Sequence, residues 1–148
     1  MDIILKNKVS KLSRTIHTNY SLAVRNTAGN STSTASSWTS RLNTAFRVCF
    51  KNLFNTNIEK VYICFACGLK TSNDSTSVLL KARCRINNTT YESDEYSTNS
   101  TDPVWFYPVI EISKTDLVND NFWVEIQLKS NGVDTATGYL DFVYLRTV

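Results

Sequence analysis

Residues 78–86 read Val-Leu-Leu-Lys-Ala-Arg-Cys-Arg-Ile, and they decide the fold class because apolar and basic side chains alternate along them. The side chains predicted to face a core are Val78, Leu80, Ala82, Cys84 and Ile86. The side chains predicted to face outward include Lys81, Arg83 and Arg85. A period of two is typical of a β-strand with one buried face. We therefore predict a half-buried strand over this stretch.

Five further stretches have strand character, and polar turns separate them: 44–54, 60–69, 104–112, 122–129 and 138–148. Residues 60–69 are apolar on both faces, which is typical of a central strand that is covered on both sides. Pro108 cannot donate a backbone hydrogen bond, so residues 104–112 are predicted at a sheet edge or a bulge. Short strands without a long helical pattern predict an all-β fold, an antiparallel β-sandwich or jelly roll, over residues 44–148.

The first 43 residues follow a different pattern and are predicted to form an N-terminal docking arm with a polar linker. Apolar side chains recur there at spacings of four, three and four residues, at Leu5, Val9, Leu12 and Ile16. This spacing is typical of a helix or coiled coil, and an extended arm added to a sheet is the alternative. Basic side chains lie between them, at Lys6, Lys8, Lys11 and Arg14. Residues 27–40 are low in complexity, and Trp38 is predicted to anchor this linker.

The net charge of +3 conceals an uneven distribution along the chain. Residues 1–51 hold eight basic residues and one acidic residue, a net charge of +7, whereas residues 52–148 hold eight basic and twelve acidic residues, a net −4. Such asymmetry predicts that the basic front meets an acidic partner surface. We do not expect it to bind nucleic acid, because no aromatic side chains are interleaved with these bases.

The composition offers little material for catalysis. Asn, Ser and Thr fill 49 of 148 positions, while the chain has one His and four Gly. One His provides little for general acid–base chemistry, and so few glycines cannot form a phosphate-binding loop of the Walker or Rossmann kind. The spacing of the loop carboxylates selects no catalytic pair. We predict a protein that is not an enzyme and has no cofactor.

Four cysteines could form two disulfides, one metal site or neither. Cys64 and Cys67 have the C-x-x-C spacing, but residues three apart on a strand point to opposite faces. They could not hold one ion together there. We predict buried free thiols and no metal site, with a structural zinc as the alternative.

Targeting signals are also lacking in the sequence. The apolar run near Ile3 is short, with an acid before it and bases after it, the reverse of a secretory signal. No run reaches the roughly 20 apolar residues that span a bilayer. We expect synthesis in a host cytoplasm and no membrane partner.

The final stretch, Gly-Tyr-Leu-Asp-Phe-Val-Tyr-Leu at residues 138–145, is similar to the closing strand of galactose-binding-like jelly rolls in carbohydrate-binding modules. The Trp-Phe-Tyr-Pro-Val stretch at residues 105–109 is similar to a strand of that family that begins with a tryptophan. The resemblance covers residues 44–148 and implies a jelly-roll fold. No calcium ligand of the family is carried over to this chain.

A glycan-binding module would present exposed aromatic rings, because the apolar face of a sugar stacks on a ring. The candidate glycan contacts are Tyr91, Tyr96, Trp105, Tyr107 and Trp123. Trp123 is the first candidate for substitution because it lies on the outward register of its predicted strand. Glycan binding is the alternative function at this point.

In style, the chain resembles small structural proteins of bacteriophage virions: capsid-decorating proteins, head fibres and tail components. The shared features are an Asn/Ser/Thr-rich, Gly-poor sandwich and a basic terminal arm. The resemblance implies a virion protein that docks through its arm on capsid or tail partners and forms a homo-oligomer. The predicted docking residues are Leu5, Lys6, Lys8, Val9, Lys11, Leu12, Arg14 and Ile16.

Overall fold

A computed structural model describes residues 23–25, 30–47, 60–86, 88–116 and 121–147. These residues form an antiparallel β-sandwich, which confirms the predicted fold class. The strands are β1 (Ala23–Arg25), β2 (Asn30–Ser33), β3 (Thr39–Arg47), β4 (Lys60–Thr71), β5 (Val78–Ile86), β6 (Thr89–Glu92), β7 (Tyr96–Thr98), β8 (Val104–Phe106), β9 (Val109–Ser113), β10 (Asn121–Lys129) and β11 (Ala136–Thr147). One 3₁₀ turn, Lys114–Asp116, follows β9.

The strands divide into two sheets. Sheet A has the order β1-β11-β4-β8, with β2 also paired to β11 and β9 also paired to β4. Sheet B has the order β3-β10-β5-β6, with β7 also paired to β5. The most extensive pairing joins β4 to the last strand, β11, along almost their full lengths. Pairing between remote segments of this kind is typical of sandwiches in which the chain crosses between sheets.

Alternating side chains from both sheets form the core, as the sequence predicts. All five inward residues of β5 are fully buried, and so are Val124, Ile126 and Leu128 of β10. Strand β4 is buried on both faces over most of its length, which confirms the prediction of a central strand. Gly138 packs directly against sheet B, since a methyl group there would lie 2.8 Å from the Leu128 Cδ2 atom.

Pro108 interrupts the stretch 104–112, which forms the two short strands β8 and β9 rather than one. Both pair with β4 at the edge of sheet A. The Pro108 carbonyl accepts a hydrogen bond from the Phe65 backbone N–H at 2.9 Å, so the interruption stays tied to β4. The edge position follows because proline lacks the N–H that a second neighbouring strand would need.

Part of the sandwich lies before residue 44. Strands β1 and β2 and the first half of β3 fall within the stretch that the sequence assigned to the arm and linker. β2 is built from Asn, Ser and Thr alone, and its backbone pairs with β11. Ser33 is buried there, and its hydroxyl donates to Thr39 Oγ1 at 3.3 Å, which satisfies the polar side chain locally.

Three of the cysteines lie within the described residues, and all three are buried free thiols, as predicted. Cys67 faces the core and Cys64 the opposite side of β4. Burial raises the pKa of the Cys84 thiol to about 12, which keeps the thiol protonated and unreactive. Within these described residues no cluster of His, Cys, Asp or Glu is arranged to hold a metal ion. Cys49 lies outside the described residues.

None of the helical turns in the described part of the chain is long and apolar enough to cross a membrane.

Candidate functional site

The five aromatic residues predicted as glycan contacts are distributed over both sheets. Tyr91 and Tyr96 belong to sheet B, where they are half-buried and pack against the core. Burial is the first cause that raises the pKa of both hydroxyls. Trp123 is 55% exposed on the outer face of sheet B. Trp105 and Tyr107 are two residues apart, in β8 and directly after it, at the edge of sheet A. The five residues therefore do not form one binding site.

The outer face of sheet A carries a continuous group of apolar side chains, which we call the aromatic face: Trp105, Tyr107, Val109, Tyr139, Phe142 and Tyr144. The first three are the exposed end of the group, with 46%, 68% and 48% of their surfaces accessible. The three β11 rings are half-buried, because they lie over small residues of β4. Solvent-facing sides of antiparallel sheets normally carry polar residues, so this face is unusual.

A β-bulge in β11 places two of these rings on one side. Tyr139 and Phe142 are three residues apart, and in a regular strand they would point to opposite faces. The pairing of β11 with β4 shifts between Leu140 and Phe142, so that Asp141 is the extra residue. Tyr139 then lies opposite Gly68 and Phe142 opposite Ala66, both outward positions of β4. A bulge of this type bends the strand and redirects the following side chains.

Gly68 provides the space in which the rings converge. It pairs with Trp105 on one side and with Tyr139 on the other. A methyl group at Gly68 would lie 3.1 Å from the Tyr139 ring, so that ring rests directly on the glycine backbone. The Trp105 and Tyr139 ring centroids are 6.4 Å apart with an interplanar angle of 44°, within the range of a favourable aromatic pair.

The far end of the aromatic face is polar and already holds a cation. The Arg146 guanidinium lies 4.9 Å from the centre of the Tyr62 ring. Next to it, Lys60 forms a 2.7 Å ion pair with Glu111, and the hydrogen bond from Lys60 lowers the pKa of that carboxyl. A hydrogen bond between the Tyr144 and Cys64 side chains is the first cause that raises the pKa of Tyr144.

The outer face of sheet B has the opposite character, because charged pairs cover it. Lys81 is only 9% exposed, and its ammonium donates to Glu92 at 2.7 Å. The same ammonium lies 4.7 Å from the Trp38 ring centre, with Lys129 at 5.9 Å from that ring. Trp38 therefore anchors its loop onto sheet B, as the sequence predicts. Arg83 and Glu125 form a further ion pair across neighbouring strands.

One end of the sandwich is closed by a hydrogen-bonded loop cluster around Asp134. The Asp134 carboxylate accepts from the Thr76 hydroxyl at 2.5 Å and from the Asn131 amide at 2.7 Å. These bonds, with a weaker one from Asn73, lower the pKa of Asp134. The cluster joins the β4–β5 and β10–β11 loops, and its polar groups are satisfied by one another.

The Asp134 carboxylate gives the loop cluster a pH dependence with a defined sign. Its folded pKa lies below the unfolded value of 3.8, so its contribution is present above that pH and is lost as the pH falls through the folded pKa. We expect the Asp134→Asn variant to have a lower urea midpoint than the wild type at pH 7, and this difference to shrink as the pH falls below 3.8. Asp74→Asn is the matched control, and an equal drop in that variant would contradict this role for Asp134.

The eight predicted docking residues of the arm lie outside the described residues. The sequence had assigned no role to Tyr139, Phe142 or Tyr144. A signal for them exists, because apolar residues occupy both registers of residues 139–145, as on the two-sided strand β4. Strict alternation places Tyr139 and Phe142 on opposite faces, and the bulge at Asp141, which brings them to one face, is not visible in this pattern.

The fold, taken by itself, defines this chain as an antiparallel β-sandwich protein with one aromatic outer face. No known family model matches the sequence. No curated protein matches it either.

Among solved structures, the fold is similar to a chain in the structure of infectious bursal disease virus, Gt strain, with a TM-score of 0.53 and 8% sequence identity. The likeness covers 87% of this chain and 33% of the virus chain, so this protein spans about a third of the length of that neighbour. At this identity the likeness concerns the fold.

Proposed function

We propose that this chain is a non-enzymatic structural protein of a virus particle, present in several copies. The observation that carries the proposal is the similarity of its sandwich to a chain of a virus over 87% of its own length. The split between a basic front and an acidic body supports it, because opposite charges on two parts of one chain favour association between copies. The aromatic face supplies an apolar surface of the kind that interfaces use.

In this proposal the arm docks on other virion proteins, copies of this chain included. Leu5, Val9, Leu12 and Ile16 would provide the apolar contacts, and the four intervening bases would complement an acidic surface. Burial of apolar area is the main source of affinity, at about 25 cal/mol per Å² before ordering costs. The place of action is then the virion, after synthesis in the host cytoplasm.

Substitution of the four apolar arm residues by serine in the full chain tests this function. We expect the wild type to sediment as a multi-copy assembly and the variant as a much smaller species with the same β-type circular dichroism. A second variant, with Lys6, Lys8, Lys11 and Arg14 changed to glutamine, separates the charge contribution by its dependence on salt. Normal assembly of the serine variant would show that the arm has no docking role.

Glycan binding is the second candidate function, and the exposed Trp105 and Tyr107 favour it. The Trp105 ring lies beside Tyr139, so a sugar could stack there while the polar groups at the edges hold its hydroxyls. On a glycan array we expect Trp105→Ala to lose retention if this function holds. Trp123→Ala, at a similarly exposed tryptophan on the other sheet, tests that candidate separately, and loss of retention in this variant alone would place the site on sheet B. Equal retention by wild type and Trp105→Ala would remove the sheet A site.

A further inference from the structure

The aromatic face is more apolar and more accessible than a sheet face that contacts only solvent. Trp105, Tyr107 and Val109 alternate along the β8–β9 edge of sheet A, and together they expose on the order of 300 Å². The largest apolar patch of an ordinary monomer is roughly 300–600 Å² and is often functional. The three half-buried β11 rings extend this patch toward the centre of the sheet.

The rings form one incomplete layer over sheet A. The outward residues Cys64, Ala66 and Gly68 of β4 are buried, because the neighbouring rings lean over them. The rings of Tyr139, Phe142 and Tyr144 themselves remain only half-buried. A second layer on top of them would complete a two-sided burial of β4, the arrangement that strands apolar on both faces normally have.

The connection of the arm to the body points to the occupant. β1 pairs with β11 at the edge of this same sheet, with Ala23 opposite Tyr144 and Arg25 opposite Phe142. Because the pairing is antiparallel, the residue before Ala23 is attached at the end of the sheet where β11 reaches Arg146. The arm therefore joins the body at the edge of sheet A, the sheet that carries the aromatic face.

The chemistry of the arm matches that face. Its four apolar residues suit a surface of rings, and its four bases suit the same surface because cations bind aromatic faces. The face already holds one such contact, between Arg146 and Tyr62. Asp141, exposed at the bulge between Tyr139 and Phe142, adds a carboxylate at the centre of the surface.

We propose that the arm of one copy of this chain docks on the aromatic face of a neighbouring copy. This inference rests on the proposed function and names the partner surface of the arm. Each chain then carries one donor segment and one acceptor face, a heterologous contact that links copies into a ring or shell when the rotation between them closes. In this interface, the apolar residues of the arm cover the exposed rings of sheet A.

The test uses full-length chains with serine at the exposed end of the face. We expect Trp105→Ser combined with Tyr107→Ser to raise the concentration at which half the chains assemble by about tenfold or more. Trp123→Ser is the control, for which we expect a shift below about twofold. Tyr107→Ser alone, at a residue that is 68% exposed, gives a variant whose folding is not at risk. A synthetic peptide of residues 1–20 should compete with wild-type assembly and fail to bind the double variant.

The outcomes separate this inference from the proposed function. Normal assembly of the face variants beside failed assembly of the arm variant would overturn the inference and leave arm docking in place. Normal assembly of both would overturn arm docking itself. A wild-type chain that stays monomeric and loses glycan retention on Trp105→Ser would also overturn the inference, because the face would then be a sugar site.

Discussion

Replacing Phe65 with alanine is expected to lower the free energy of unfolding by about 3–5 kcal/mol, the usual cost of removing a buried phenyl ring. Phe65 is 1% exposed and lies at the centre of β4, opposite Val143 of β11. The strands around it belong to two sheets tied by remote pairings, so the cavity has little freedom to collapse. For a chain of this length the change corresponds to a fall in Tm of roughly 10 °C or more.

Urea denaturation followed by circular dichroism measures this loss, and Trp123→Ala provides the comparison. That ring is larger but 55% exposed on the outer face of sheet B, so its removal leaves no cavity. We expect a cost below about 1.5 kcal/mol for it. Equal losses for the two variants would mean that the sandwich core is not centred on β4.

Replacing Glu92 with methionine is expected to lower the free energy of unfolding by about 2 kcal/mol, more than replacing its ion-pair partner Lys81 with methionine. The variant leaves the Lys81 ammonium, on a side chain that is only 11% exposed, without its carboxylate. Removing one partner of a fully buried pair costs about 3–5 kcal/mol, and the Glu92 side chain, which is 41% exposed, reduces this figure.

The companion variants make the comparison specific to the charge. Lys81→Met removes the ammonium and keeps the stem under Trp38, so we expect a loss of about 1 kcal/mol, chiefly the cation–ring contact. The double variant should be close to Lys81→Met alone, because neither charge remains. If Glu92→Met proved harmless, the Lys81 ammonium would have to be solvated rather than held between Glu92 and Trp38.

Strands with one buried face were predictable from the sequence, because their alternation records the burial directly. Residues 78–86 form β5 with the expected inward residues, and the predicted strand at 122–129 lies within β10. Pro108 correctly placed β8 and β9 at an edge, since its missing N–H leaves few alternatives. These predictions depend on local chemistry that a single segment displays.

The polar strand β2 was not predictable in the same way. Its residues, Asn30–Ser33, lack an apolar face, and their composition is more typical of a loop than of a strand. They form a strand because β11 offers an edge and the backbone supplies the hydrogen bonds. Tertiary context, which the local pattern does not contain, decides such segments.

The candidate site was predictable only in part. Trp105 and Tyr107 were identified as exposed rings, and the structure places them together. The β11 rings that extend the face were not identified, because a single extra residue at Asp141 changes which residues share a side. Bulges follow from the register of two paired strands, and the sequence of one strand alone does not show the register.

The mass of the full-length chain in solution, measured by sedimentation velocity over micromolar concentrations, shows whether this sandwich works as a multi-copy structural protein. We expect a discrete species with a mass several times the 16.8 kDa of one chain. A single 16.8 kDa species across the whole concentration range would contradict it.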